Sequence, residues 1–454
     1  MKFSFGTRLK YGTDDIRREI VRFAASKLIC GGKSEDTELN DDQKLGMDNH
    51  LAALRPLDEN FVSSACMAVR LPLEFNSTTS KSRQREHLQV AKHMRVCIKV
   101  NDGFETVVSV ASSEPIMAEG ARSLMCKPAC PFNLPGSLLH ELQAPGLDKG
   151  DRGELICLVL LLLACDKAGS RVFSVQTFFE NLLNRDDYVE LFEAKPSRQR
   201  DVDDEPTFRE AFSESKIYFN HFVKIHDPGV VNRKYLWMLI ARGAAILCAN
   251  NQAGIDVLIP FMYYDAKLGR HNVSVILIQV KNDQKFSTTP RRWLFDGMNP
   301  YFVGVFDHSD EEPLPVIRMV FALSSTKSGV TIIEPERTRY RRKAKGKKGK
   351  KSPPYTSYDI WCAGAFAKTF AVIKETEEKT YEQLLKVCSP FPQSYKSDLE
   401  EMEKRRRSMN PGTMTNVDHW HAFELDPNEE VIDEELDDYD YDVESDEDDD
   451  IEMP

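Results

Sequence analysis

The chain contains no apolar run long enough to cross a bilayer. Its most apolar stretch, LICLVLLLLAC at 155–165, falls well short of the roughly 18 residues a spanning helix needs, so it is expected as a buried core helix. No G-x-x-x-x-G-K-[ST] run occurs, which excludes a nucleotide-binding P-loop, and no internal repeat is visible. The ten cysteines form no regular framework. Cys126-x-x-x-Cys130 has no second pair nearby, and structural zinc wants four closely spaced ligands. The opening MKFSFGTRLKYG lacks the apolar core of a secretory signal. Reduced thiols in a nuclear or cytoplasmic protein are therefore the expectation, with no membrane partner.

The acidity is concentrated in one appendage. Residues 424–454 hold 18 Asp or Glu and neither Lys nor Arg, which accounts for more than the whole net charge of −12 and leaves the rest of the chain at +6. A mildly basic body is compatible with nucleic acid. The tail cannot bury enough apolar surface to fold alone, so disorder is expected there. Its Ser445, within ESDEDDD, suits an acid-directed kinase. RTRYRRKAKGKKGKK at 337–351 is the opposite charge block. It suits a nuclear localisation signal, a phosphate-contacting arm or a solvated loop. As an arm it would offer Arg339, Arg341, Arg342 and Lys343 to phosphates and Tyr340 to a base.

Periodicity and turn residues outline the elements. Residues 14–30 predict a first amphipathic helix. HMRVCIKVNDGFETVVSVASSEP, 93–115, predicts a hairpin around Asn101-Asp102-Gly103. A short helix at 116–125 and a Pro-rich connector at 126–136 come next. DRGELICLVLLLLACDKA predicts a helix capped by Asp151, apolar almost all round and deeply buried. Helices are expected at 174–184, 208–225 and 234–251, then strands in GIDVLIPFMYY, HNVSVILIQVKN, 301–307, 316–324 and 330–335, with a closing helix over 363–388.

One hairpin carries chemistry. Antiparallel pairing about a centre between Lys267 and Leu268 sets Asp256 opposite Gln279. Side chains alternate along a strand, so Gln279 and Lys281 share a face with Leu277, and Ile278 and Val280 share the other. Polar groups converging at the end of a buried hairpin suggest a site. Phosphodiester hydrolysis uses such a set: hard oxygen ligands for Mg²⁺ and a lysine that offsets charge in the transition state. The bland readings are a strand start for Asp256, strand-end solvation for Gln279 and Lys281, and, for Glu154, the fourth position of a capping box begun by Asp151. His221 and His226 are expected to pack.

Asp256 followed by Gln279-Val280-Lys281 resembles the D…(D/E)-x-K signature of the PD-(D/E)XK, or restriction-endonuclease-like, superfamily. In that fold a glutamate from the helix before the sheet often joins the site, and Glu154 matches that role. The stretches RLPLEFNST (70–78), SEPIMAEGARSLM (113–125), GDRGEL (150–155), YFNHFVK (218–224), RGAAILCANNQAGID (242–256) and ILIQVKN (276–282) resemble a large, mostly uncharacterised family of fungal proteins, over roughly 70 to 330. Some related fungal families are linked to mobile elements or to Crinkler-type effectors.

The resemblance implies an α/β fold with a mixed sheet. An α+β region would occupy 1–148. A restriction-endonuclease-like core would occupy 149–395, with a helical insertion at about 170–230 to bridge the long gap from Glu154 to Asp256. A charged linker and acidic tail would complete 396–454. It also implies a Mg²⁺- or Mn²⁺-dependent nuclease acting on nucleic acid, DNA foremost, with Glu154, Asp256, Gln279 and Lys281 as its site. Gln279 stands where the signature has an acid; its amide oxygen can bind a hard cation but brings less charge. The alternative is a catalytically inactive nuclease fold that serves as a nuclear nucleic-acid-binding or protein-interaction module.

Overall fold

The computed structural model describes residues 20, 21, 24, 25, 28, 59–72, 90, 96–100, 107–110, 115–126, 133–141, 149–169, 172–198, 206–249, 252–264, 267–307, 313–334 and 353–386. All of them belong to one compact unit, Met1–Ser397. The basic loop and the acidic tail lie outside the described residues.

The fold is a mixed α/β assembly around a nine-stranded sheet. Its centre is β7 (Val257–Met262) paired antiparallel with β8 (Val273–Lys281), which pairs parallel with β9 (Val316–Ala322). β11 (Ser357–Ala363) adds in parallel to β9, and β10 (Gly329–Ile332) closes that side antiparallel to β11. The sequence 335–352 therefore joins two paired strands, as its position between VTIIEP and YDIWC predicts. The other edge of β7 is shared. Its first half pairs with β6 (Ala244–Leu247), which carries β5 (His221–Lys224) in parallel. Its last residue, Met262, pairs with Lys216 of β4 (Lys216–Ile217), which carries β3 (Phe173–Ser174).

The sheet separates two apolar layers. Val257, Ile259, Ile276, Ile278 and Val280 face a core built with helix α4 (Lys149–Lys167), α5 (Val175–Leu182), α6 (Arg185–Glu193), α7 (Phe208–Ala211) and α10 (Glu378–Leu385). Leu258, Val275, Leu277 and Val320 face the second core, with α8 (Arg233–Arg242), α9 (Arg292–Gly297) and the turns after α9. α4 is leucine-rich from Leu155 onward, and twelve of its nineteen residues are buried. Strand alternation and helix burial thus explain why the apolar run at 155–165 has no polar face. Among the described residues no helix is long and apolar enough to cross a membrane.

N-terminal to α4, β1 (Val96–Val100) and β2 (Val107–Val110) form the expected hairpin, while its Asn-Asp-Gly turn lies outside the described residues. Of the predicted first helix, Ile20, Ala24, Ala25 and Leu28 are described as helical and buried. Ala24, Ala25 and Leu28 pack with α1 (Glu59–Arg70) and α2 (Pro115–Met125). A short α3 (Leu134–Glu141) occupies the end of the expected connector.

Several expectations need correction. The helix predicted over 208–225 is only the one-turn α7; β4 and β5 come after it, because Ile217, Tyr218, Phe219, Phe222 and Val223 are aromatic or β-branched residues that suit a sheet. The insertion at 170–230 is therefore not purely helical, since it supplies β3, β4 and β5. The helix over 234–251 stops at Gly243, whose left-handed φ of 65° caps α8 and starts β6. Residues 301–307 form successive turns rather than a strand, as in Val303 N–H to Asn299 O at 3.0 Å and Phe306 N–H to Pro300 O at 3.1 Å. The closing helix shrinks to α10, because 357–363 is strand β11 and turns come after it.

Candidate active site

The β7–β8 ladder runs from Met262↔Val273 to Val257↔Ile278. Continued by one step, this register sets Asp256 opposite Gln279, as the sequence predicts. Asp256 then ends the ladder with its own atoms. Its N–H donates to Ile278 O at 2.9 Å, and its C=O accepts from Cys248 N–H at 2.8 Å. Its Oδ2 accepts from Val280 N–H at 2.6 Å. Burial pushes the Asp256 carboxyl above its ordinary value, against the opposing pull of the Val280 N–H and the Lys281 charge. Oδ1 takes no hydrogen bond among the described residues.

Gln279 lies directly across. Its Oε1 is buried and has no hydrogen-bond partner among the described residues. An orphaned amide oxygen costs the desolvation it suffered, about 1–3 kcal/mol, unless something occupies the space beside it. Lys281, two residues on, shares the Gln279 face by alternation and is half-buried.

Helix α4 reaches this strand end from the opposite face. Gly153 rests directly on β8: a Cβ there would lie 2.7 Å from Asn282 Cβ and 3.3 Å from Val280 Cγ1. The next residue, Glu154, is half-buried. Its charge and that of Asp256 both reach the same two buried thiols, Cys157 and Cys248, which burial first and these carboxylates second push upward. Asp256, Gln279 and Lys281 thus belong together at the end of β7 and β8, and Glu154 approaches that end from the Val280 side. Asp151 is not the helix cap, since α4 is already formed at Lys149 and Asp151 sits inside the first turn. The capping-box reading of Glu154 falls with it.

Asn282 escaped the sequence reading. It is buried, and its Nδ2 donates to Lys149 O at 2.6 Å and to Leu385 O at 3.1 Å, while its Oδ1 accepts from Ser324 Oγ. One side chain so fastens the start of α4 and the end of α10 to the strand bearing Gln279 and Lys281. The only sequence signal is its place directly after Lys281. Two buried ion pairs were also missed. Arg318 on β9 grips Asp359 on β11 and donates to Tyr355 Oη at 3.0 Å. Arg70 at the end of α1 donates to Asp166 Oδ2 at 2.7 Å and Oδ1 at 2.8 Å and to Asn220 O at 2.8 Å. These are braces that join residues distant in sequence.

His221 packs, as expected, whereas His226 is exposed. His221 is buried against Asn220 Oδ1 at 2.6 Å, and burial, helped by Arg242 and Arg70, pushes it down to about 3. Cys126 is a free thiol, and Cys130 lies outside the described residues. The proposed contact residues Arg339, Tyr340, Arg341, Arg342 and Lys343 lie outside them as well.

Among the described residues no three His, Cys, Asp or Glu side chains gather as a metal-holding group. What β7 and β8 offer instead is one carboxylate and one unpartnered amide oxygen, with a second carboxylate on the neighbouring helix. That donor set is of the hard-oxygen kind and low in charge. Neither a curated protein nor a solved structure matches the chain. A family model described as a domain of unknown function, DUF8736, matches residues 63–294, just over half of the chain. The matched region takes in α4, β7 and β8 with Glu154, Asp256, Gln279 and Lys281, and the chain belongs to that family.

Proposed function

We propose that the chain is a divalent-metal-dependent nuclease with a restriction-endonuclease-like core, hydrolysing phosphodiester bonds in nucleic acid. The observation that carries this reading is the buried, unpartnered Gln279 Oε1 at the same strand end as the raised Asp256 carboxyl and the Lys281 ammonium. A core gains nothing by orphaning an amide there.

Asp256 and Gln279 would hold Mg²⁺ or Mn²⁺, with Glu154 assisting from α4. Bound there, the metal supplies charge neutralisation at the phosphate and acidifies the attacking water. Asp256 is fixed for this role, because its Oδ2 is committed to Val280 N–H and its Oδ1 is left for a ligand. Lys281 offsets the negative charge that grows on the phosphate oxygens. In hydrolysis the water oxygen bonds to phosphorus, the bond to the departing sugar oxygen breaks, and that oxygen takes up a proton. Asn282 positions rather than reacts, by tying α4 to β8.

The test is cleavage of single- and double-stranded DNA and RNA by the full chain with Mg²⁺ or Mn²⁺. Asp256→Asn and Lys281→Ala should each lower the rate by about 100-fold or more with an unchanged melting temperature. A wild-type protein that cuts none of these substrates, or an Asp256→Asn variant of full activity, sinks the reading. The second reading, a nuclease fold that binds without cutting, is favoured by one feature: the amide of Gln279 in place of an acid. Gln279→Glu would then bind Mn²⁺ where the wild type does not.

A further inference from the structure

The segment that leaves the candidate site at Lys281 returns to it at Gly297. There α9 presses on Gly254, two residues before Asp256: Gly254 has φ +85°, and a Cβ on it would fall 2.0 Å from Gly297 O. Between these anchors the chain carries Lys281, Lys285, Arg291 and Arg292 against Asp283 and Asp296. Lys285, Arg291, Arg292 and Asp296 are exposed.

Trp293 is exposed too, at 62%, and Phe302, at 69%, stands just beyond α9; they are the two most exposed aromatic side chains among the described residues. The neighbours of Trp293 explain its position. Leu294 and Phe295 are buried in the second core, and Phe295 O accepts from Arg318 Nη1 at 2.5 Å, so this short helix is clamped by its inner side. A tryptophan held outward on a clamped helix, beside two arginines, presents a free ring face to a base.

We propose that the Lys285–Phe302 segment is the substrate-binding surface of the candidate site and that it takes single-stranded nucleic acid. Trp293 stacks on an unpaired base, and Arg291, Arg292 and Lys285 meet the phosphates. Charge complementarity selects a polyanion, and the exposed ring selects an unpaired strand, because a base inside a duplex has no free face to offer. The proposal rests on the nuclease reading for its biological sense but not for its test.

The experiment is fluorescence anisotropy of a labelled oligo-dT of about 15 nucleotides, and of a duplex of equal length, with the full chain in EDTA. Removing metal separates binding from cleavage. Trp293→Ala should weaken the single strand by about tenfold and the duplex much less. The pair Arg291→Ala and Arg292→Ala should weaken both and flatten the salt dependence of the single-strand affinity by roughly 1.4 in log–log slope. Trp293→Phe, which keeps a ring, should recover most of the single-strand affinity. Equal affinity of wild type and Trp293→Ala for the single strand overturns the proposal. So does a wild type that binds no oligonucleotide, or one that prefers the duplex. Absence of cleavage in a parallel assay with Mn²⁺ would refute the nuclease reading while leaving a Trp293-dependent binding result intact.

Discussion

Gly153 is where helix α4 meets strand β8, and the contact leaves no room for a methyl group. Replacing an interior helical glycine with alanine ordinarily stabilises a protein by about 0.5–1 kcal/mol. Here the new Cβ would fall 2.7 Å from Asn282 Cβ, so Gly153→Ala should instead destabilise by about 1–3 kcal/mol in urea unfolding. A gain in stability would mean that α4 stands further from the strand than described. The strand side of this contact was legible in the sequence. Strand side chains alternate with a period of two, and the apolar runs on either side of the 263–272 turn have one natural pairing, so the position of Gln279 relative to Asp256 could be read from it. Asn282 was not legible, because Lys149, Ser324 and Leu385 are remote in sequence and nothing local announces that they meet. Glu154 was half legible. Asp151 offered it a local capping role, and only the earlier start of the helix removes that role.

Elements read correctly where one period held from end to end, as in α4, α5, β8 and β9. They failed where a single apolar stretch changes period partway. KYLWMLIARGAAILC is helix as far as Arg242 and strand from Ala244, and the glycine between them marks a break without specifying the conformation beyond it. The stretch after Phe208 fails likewise, since its strands pair only with partners that the rest of the fold supplies. The ion pair of Arg70 binds three parts of the fold: the end of α1, the end of α4 and the turn before β5. Arg70 is buried, and among the described residues Asp166 keeps Arg122, at 3.2 Å, as its ion-pair partner if Arg70 is lost. Arg70→Met should therefore cost about 3 kcal/mol in urea unfolding, at the lower end for a broken buried pair. Adding Asp166→Leu to Arg70→Met should recover part of that loss, because the carboxylate that Arg70 abandons is then gone and the remaining cost is the lost Arg122 contact. A double variant weaker than the sum of both singles would show that the pair does not act as a unit.

For the molecule as a whole, the mixed α/β class could be read from the alternation of helical and strand patterns, whereas the forked arrangement around β7 could not. Strand order depends on contacts between distant parts of the chain, and local pattern is blind to them. The distribution of charge was legible throughout, because it needs no fold: a basic body and an acidic tail stand in the composition itself.

β9 covers β8 from Ile276 to Lys281, yet the family match ends at residue 294, before β9 begins. A protein cut after Leu294 would keep Asp256, Gln279 and Lys281 but leave the backbone of β8 bare along that side. It would be an apolar edge strand with unpaired N–H and C=O groups, which recruits other chains. Such a fragment should form large soluble aggregates or precipitate on size-exclusion chromatography, whereas a chain ending after Ser397 should not. A monodisperse, folded fragment ending at 294 would contradict this. The span over which a family is recognised and the length of chain able to fold as one are then different quantities, and for this protein the second extends at least to Leu385, where the backbone meets Asn282.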